Sequence, residues 1–586
     1  VAARFGVVQS QRDDGYYKDS GGNVIDTERY GAYRAALRWQ PTQPLDINYV
    51  FDTESNEEVD QILIVVSHLP VTGSEFESLI DSPMDTENDV FNHNLTIDLD
   101  VSMGTISSVT NYRDREVRDI YDAEYYFPPV FFSFGFNRQT ATQVDSEAFF
   151  QEIRFVANGT DQFNWMVGLD YFDTTTTERI SNWPGVLGLP ADVGVWPNAQ
   201  NRNVTVDMDS WAAYASAEYS FADVPVAISA EVRFSEDNVG GSVLTERTRL
   251  ATPETDFTQP KKKFTNNPWG ITASYRFEDG IGALISDALV YAKVASAYRH
   301  GGINLSAGIP DLDAFPVVLT YDEESSMTYE VGLKSSMTNG LTFNFAAFTT
   351  VYEDFLNTTQ NGCPIVCQLV DASGNGLGFN PDGSRVEVDA MGNPGEELPQ
   401  AFFIDNIGEA EAWGLEAEFV WQRSFSNGAF VNVRAGWSRQ LGEVTKLDAD
   451  VDPASAFAIG KDLPYMRPTQ YKASLVYRHP LPALGNMATF MQGVGVLATT
   501  NLVVEKGGVG TLPAPGAVAS FQDDVDRVDA RIGLETERWS LMLRGNNVLD
   551  SDYATWAFGP SLSDPSTLYR RVDPAYYSLE FAMRLR

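Results

Sequence analysis

Phe163-Asn164-Trp165-Met166-Val167-Gly168-Leu169-Asp170-Tyr171 alternates without a break. Phe163, Trp165, Val167, Leu169 and Tyr171 fall on one side of an extended chain, and Asn164, Met166, Gly168 and Asp170 on the other. A period of two with one apolar face marks a strand that is dry on one side and wet on the other. The pattern recurs outward in both directions. Leu95, Ile97, Leu99 and Val101 alternate with Thr96, Asp98 and Asp100. Near the C-terminus Tyr577, Leu579, Phe581, Met583 and Leu585 alternate with Ser578, Glu580, Ala582 and Arg584. In a soluble barrel the apolar set would fill the inside. Here the polar sets carry ionised groups, Asp98 with Asp100 and Glu580 with Arg584. That suits a wet or plugged lumen with lipid outside.

The same reading applied along the chain predicts strands near 2–10, 29–39, 44–53, 91–102, 105–117, 145–156, 162–175, 206–220, 224–235 and 266–277. It predicts others near 287–299, 322–335, 341–355, 405–422, 428–440, 469–478, 487–502, 523–535, 538–548 and 576–586. One set of connections is short, as at Ser102-Met103-Gly104, Asn158-Gly159-Thr160, Thr338-Asn339-Gly340 and Ser426-Asn427-Gly428. Asn-Gly and related pairs supply the positive φ of tight hairpins. The other set is long: 54–90, 118–144, 176–205, 236–265, 300–321, 356–404, 441–468, 503–522 and 549–575. Long loops alternating with tight turns are unexpected in a soluble fold and expected of an outer-membrane barrel. With a periplasmic C-terminus, strand parity puts every long loop on the extracellular side. The fold class is therefore all-β, a transmembrane antiparallel barrel with about 20 strands in this chain.

Composition agrees. The chain has 586 residues and a mean hydropathy of −0.22. It contains no run of about 18 apolar residues, so no transmembrane helix is expected. A barrel reads as this bland because only every second strand residue meets lipid. The net charge of −40 argues against nucleic acid, whose phosphates need a basic surface. The acidic loops either hold divalent cations or simply keep the loops solvated. Val1 opens directly in strand-like sequence, with no signal peptide, so the chain is expected to be a mature or trimmed piece.

Five stretches, in order along the chain, resemble the TonB-dependent receptors. Arg4 with Asp14-Gly15-Tyr16 is similar to an early barrel strand and its exit. Tyr291-Ala292-Lys293 through Tyr298-Arg299-His300-Gly301-Gly302-Ile303-Asn304 resembles the family's aromatic-x-x-Gly-Gly-x-Asn segment. Tyr321-Asp322-Glu323-Glu324 and Tyr329-Glu330-Val331-Gly332-Leu333-Lys334-Ser335 resemble the strand that follows. Asn406-Ile407-Gly408-Glu409-Ala410 with Gly414-Leu415-Glu416-Ala417-Glu418 resembles another. Asn546-Asn547-Val548-Leu549-Asp550 with Tyr553 resembles the penultimate-strand signature.

The resemblance implies a barrel of about 22 strands around a plug. Residues 1–586 would then be the barrel domain, without its N-terminal plug and first two strands. It also implies a C-terminal aromatic, so one residue beyond Arg586, or a trimmed end, is expected. The implied function is import across the outer membrane of a Gram-negative bacterium. A scarce extracellular small molecule, a ferric siderophore by default, would be drawn in by TonB-ExbB-ExbD acting on the plug. Oligosaccharides, cobalamin and aromatic compounds stay open as cargo. Haem is disfavoured, since no Phe-Arg-Ala-Pro or Asn-Pro-Asn-Leu stretch occurs. Lipopolysaccharide and outer-membrane lipid are the expected surroundings. The competing reading is a plug-less pore or a surface structural barrel.

No catalytic constellation appears, and neither an enzyme nor a cofactor is expected. The four histidines, His68, His93, His300 and His479, are scattered. The candidate ligand contacts are aromatic: Tyr125, Tyr126, Phe127, Phe131, Phe132, Phe134 and Phe136 in one long loop. Such a cluster either stacks on a ligand or forms a local mini-core. Trp183 and Trp196, each followed by proline, are similar candidates, with the lipid-headgroup belt as the alternative. Arg299 and His300 leave a strand beside two glycines, as a ligand contact or a structural exit. Cys363 and Cys367, spaced Cys-x3-Cys without a nearby histidine, fit an oxidised pair pinning an outer loop better than a zinc site. Asp448, Asp450 and Asp452 alternate like the start of a calcium loop, but Pro453 stands where glycine is needed.

Overall fold

The structure, a computed structural model, describes residues 1–13, 15, 24, 27–58, 64–66, 85–122, 136–186, 200–247, 255–278, 280–304, 320–361, 401–448, 466–506, 524–558 and 567–584, with short pieces between 369 and 395 and between 459 and 463. One antiparallel sheet of 21 strands dominates it. Twenty of these form a single up-and-down meander. They are β1 (Ala2–Arg12), β2 (Glu28–Thr42), β3 (Leu45–Glu58), β4 (Asp85–Val101), β5 (Gly104–Asp122), β6 (Phe136–Ala157) and β7 (Phe163–Val186). Then come β8 (Gln200–Ser220), β9 (Val226–Arg247), β10 (Trp269–Phe277), β11 (Ile285–Arg299), β12 (Glu324–Met337) and β13 (Leu341–Glu353). The rest are β14 (Gly408–Ser424), β15 (Phe430–Leu447), β16 (Thr469–Pro480), β17 (Gly495–Lys506), β18 (Val525–Glu535), β19 (Trp539–Asn546) and β20 (Tyr576–Met583). Each strand pairs with the next along the chain. Among the described residues no ladder joins β1 to β20.

The alternation decides which face is which. Leu169, Leu579 and Phe581 are exposed by 61%, 71% and 66%, while Gly168 on the opposite face is buried. An apolar face this open is a lipid-facing wall. The inner wall is polar and tied together across strands. Arg233 on β9 forks onto Asp170 of β7 at 2.7 and 2.9 Å. Tyr214 on β8 donates to Glu152 of β6, and Ser210 donates to the buried Asp237.

The two ends of the barrel differ as expected. The tight turns at 338–340 and 425–429 place Gly340 and Gly428 at φ 81°, a conformation that side chains disfavour. The opposite end carries the long connections.

Three details depart from the sequence reading. Strands β4 to β9 run well past the expected limits, so much of the loops expected at 118–144, 176–205 and 236–265 is sheet. Thr174, Thr175, Thr176 and Thr177 continue β7 and pair with β6 and β8. Above the bilayer both faces meet water, so alternation vanishes while backbone pairing continues. Second, Thr255–Asn266 is the extra strand. It pairs with the upper part of β9, whereas β10 pairs with the lower part. Pro268, which has no N–H, separates the two and lends its carbonyl to Arg233 N at 2.9 Å. Third, the strand expected from 487 begins at Gly495. Its expected first residues instead include a 3-10 turn, Thr489–Met491, preceded by a short helix, Pro482–Gly485.

Candidate functional site at the barrel mouth

The mouth is built where β11 to β15 end. Strand β11 stops at Arg299, which pairs with Glu324, the first residue of β12. The His300 ring donates through Nδ1–H to the carbonyl of Gly301 at 2.7 Å. The chain then passes against Phe264 of the extra strand. A Cβ at Gly301 would lie 2.4 Å from the Phe264 ring and 2.4 Å from the Tyr321 carbonyl, so close approach is what the glycine provides. Ile303 packs on Val204 and Val243, which share the inner face with Ala212 and Val239. Residues 301–304 therefore fold into the mouth.

Asparagines hold this arrangement. Asn304 grips the backbone of Ile404 twice, donating to its carbonyl at 2.7 Å and accepting from its N–H at 2.9 Å. Asn406 binds three backbone groups from two other connections. It accepts from Asp322 N at 2.7 Å and donates to Asp322 O at 3.1 Å and Asp354 O at 2.9 Å. Asp354 itself sits at φ 54°. The Glu324 carboxylate accepts from Leu356 N at 2.7 Å. Beneath them Ile407, Ala410, Val444 and Leu463 form a small apolar core with Tyr352, Phe355, Leu447 and Met466 packed around it. Burial holds the Tyr321 phenol above the usual tyrosine range, against the opposing pull of Arg299.

A third clamp closes the β18–β20 side. Asn547, at φ 46°, donates to Ser551 O and Asp573 O at 2.9 and 3.0 Å and accepts from Ser551 N at 3.0 Å. Its own N–H reaches Asp529 at 2.8 Å. Asp550 accepts from Ala575 N at 2.9 Å. Tyr553 is buried beside Arg527, and burial raises its phenol.

The motif asparagines Asn304, Asn406 and Asn547 are thus occupied by backbone hydrogen bonds. They shape the mouth and leave little polar capacity for a ligand. The inward wall offers more. A recess of about 350 Å³ lies on the lumen side of β11 to β16, lined by Tyr291, Lys334, Asn344, Glu416, Gln470 and Lys472. Tyr291 donates to Glu330, and Lys334 stands 5.7 Å from the Tyr291 ring centre. The sequence reading missed this recess. Its only trace was the inward set of each strand, which sequence treats as lumen lining without grouping it.

The expected contacts are placed unevenly. Tyr125, Tyr126, Phe127, Phe131, Phe132, Phe134, Trp196, Cys363, Cys367, Asp450 and Asp452 lie outside the described residues. Phe136 opens strand β6 and Trp183 lies in β7, paired with Gln139, so neither is on a loop. Arg299 and His300 stand at the strand exit, with His300 turned to its neighbour's carbonyl. Asp448 follows β15 and donates its N–H to Ile407 O at 3.1 Å. Among the described residues no group of three His, Cys, Asp or Glu is placed to hold a metal.

A family model described as "TonB dependent receptor-like, beta-barrel" matches residues 15–548. Solved structures share the fold at low identity. The ferric yersiniabactin uptake receptor FyuA from Yersinia pestis is 15% identical, with a TM-score of 0.69 over 99% of this chain and 75% of its own. The ferric-catecholate import receptor Fiu from K12 E. coli is 13% identical, with a TM-score of 0.64 over 99% and 77%. The copper transporter OprC is 14% identical, with a TM-score of 0.59 over 98% and 76%.

Proposed function

Because the chain belongs to the TonB-dependent receptors through its β-barrel domain, a family of outer-membrane importers and not of enzymes, we propose that its cargo is a ferric siderophore moved by TonB-ExbB-ExbD. The family match over residues 15–548 carries this reading. FyuA is a ferric yersiniabactin uptake receptor and Fiu a ferric-catecholate import receptor, which supports the choice of cargo. Ligand first meets the extracellular connections. The aromatic residues between Tyr125 and Phe136, with Trp183 and Trp196, are the proposed stacking contacts. The recess beside Lys334 and Lys472 offers cations to an anionic chelate.

The barrel domain needs more than these strands. Among the described residues β1 and β20 each keep one unpaired edge, which would leave backbone groups without partners in hydrocarbon. Two further strands and a plug complete the proposed importer. Lipopolysaccharide surrounds the outer half of the exposed apolar wall, and an oxidised Cys363–Cys367 pair pins its loop.

The test is uptake of radioactive iron, presented as a panel of ferric siderophores, by cells whose only such receptor is this protein in full length. Uptake of one siderophore, abolished by a protonophore or by loss of TonB, is expected. Uptake indifferent to both would turn the assignment toward a passive pore.

A further inference from the structure

The connection 481–494 between β16 and β17 is longer than any other turn at its end of the barrel. In a chain that is 21% charged it contains no Asp, Glu, Lys or Arg. Of the two adjacent turns, 425–429 is likewise uncharged but only five residues long, and 536–538 carries Glu537 and Arg538. It presents Met487 and Phe490 outward, exposed by 74% and 69%.

Its position is fixed by Trp539. Trp539 pairs with Met583, in the outward set of β20 with Leu579 and Phe581. The Trp539 indole N–H donates to the Phe490 carbonyl at 2.7 Å, and the two rings lie 6.5 Å apart. The connection thus hangs from the lipid-facing wall, and its apolar side chains continue that wall beyond the strand ends.

Its backbone is also prepared for a dry setting. Leu484, Gly485, Asn486, Met487, Met491, Gln492 and Val494 all donate their N–H groups within the segment. Leu481 N donates to Val494 O at 2.9 Å and closes the loop. Amides paired in this way can enter a bilayer interface, whereas open turns cannot without loss.

We propose that 481–494 is a membrane foot, with Met487 and Phe490 seated among the phospholipids of the periplasmic leaflet. Continuity with the lipid-facing belt selects lipid as the occupant. A short helical segment with apolar contacts and no charge suits the headgroup–acyl boundary. The foot would fix the height of the β16–β20 side of the barrel, whichever cargo it imports.

The test places a nitroxide at Met487→Cys, and separately at Phe490→Cys, in full-length protein carrying Cys363→Ser and Cys367→Ser. Glu537→Cys in the adjacent polar turn is the control. Proteins are reconstituted in phospholipid vesicles, and gel mobility before and after heating reports folding. Collision with oxygen, which concentrates in lipid, is compared with collision with a water-soluble nickel chelate. Several-fold higher oxygen-to-nickel ratios at 487 and 490 than at 537 are expected. Ratios equal to the control would overturn the proposal. Shielding from both reagents would also overturn it and point to a protein partner. Since neither side chain is packed inside, both variants are expected to fold, and each serves as the other's check.

Discussion

Asn406 illustrates how little of the mouth a local reading can see. In sequence it is one asparagine in a motif; in space it satisfies backbone groups of Asp322 and Asp354, both far along the chain. Replacing it with alanine would strand those groups, at about 1–3 kcal/mol each if water cannot reach them. Asn406→Ala is therefore expected to speed hydrogen exchange at 320–324 and 354–358 while the strands of the sheet exchange as before. Unchanged exchange there would mean that water replaces the side chain. Gly301 makes the complementary point, because its constraint is crowding. Gly301→Val is expected to push 301–304 off Phe264 and Val204, and protease cleavage after Arg299 in folded protein reads that displacement. Cleavage no faster than in the wild type would argue against it. The motifs themselves were legible, as was the exit at Arg299. Their partners were not, since a side chain that binds remote backbone leaves no periodic mark on either segment.

At the scale of elements, the strands of the meander and their order were readable, while their lengths and the extra strand Thr255–Asn266 were not. Every one of the twenty expected strands has a counterpart in the meander. The misjudged elements, β4 to β9, are those that outrun the bilayer. A spanning strand needs only about 9–11 residues, whereas β7 runs for 24. Its residues Thr174 to Arg179 are polar on both faces. Amides at 174–180 and 202–206 should accordingly exchange as slowly as other paired sheet residues, which exchange mass spectrometry in detergent can check. Exchange at loop-like rates would show that these extensions do not hold as sheet. Pro268 marks the other element-level surprise, and its signal was present in the sequence: a proline inside strand-like sequence forces a break.

For the whole molecule, two solvents act on one sheet. A charge placed on the lipid face should cost about 2–4 kcal/mol near the bilayer midplane and little on the lumen face. Leu579→Arg is thus expected to lower the urea midpoint for folding into vesicles, and Lys472→Ala to leave it nearly unchanged while weakening capture of an anionic chelate. Equal effects on stability would contradict the assignment of faces. The sequence by itself determined the twenty strands of the meander, the inward and outward sets, and the end that carries long connections. Those follow from alternation and turn chemistry, which are local and repeat with each strand. Tertiary structure alone decided how far the wall rises above the membrane, which asparagines tie the mouth, and which lumen residues share the recess. These depend on partners distant in the chain, and the physical rule behind them is the pairing of each polar backbone group wherever water is excluded.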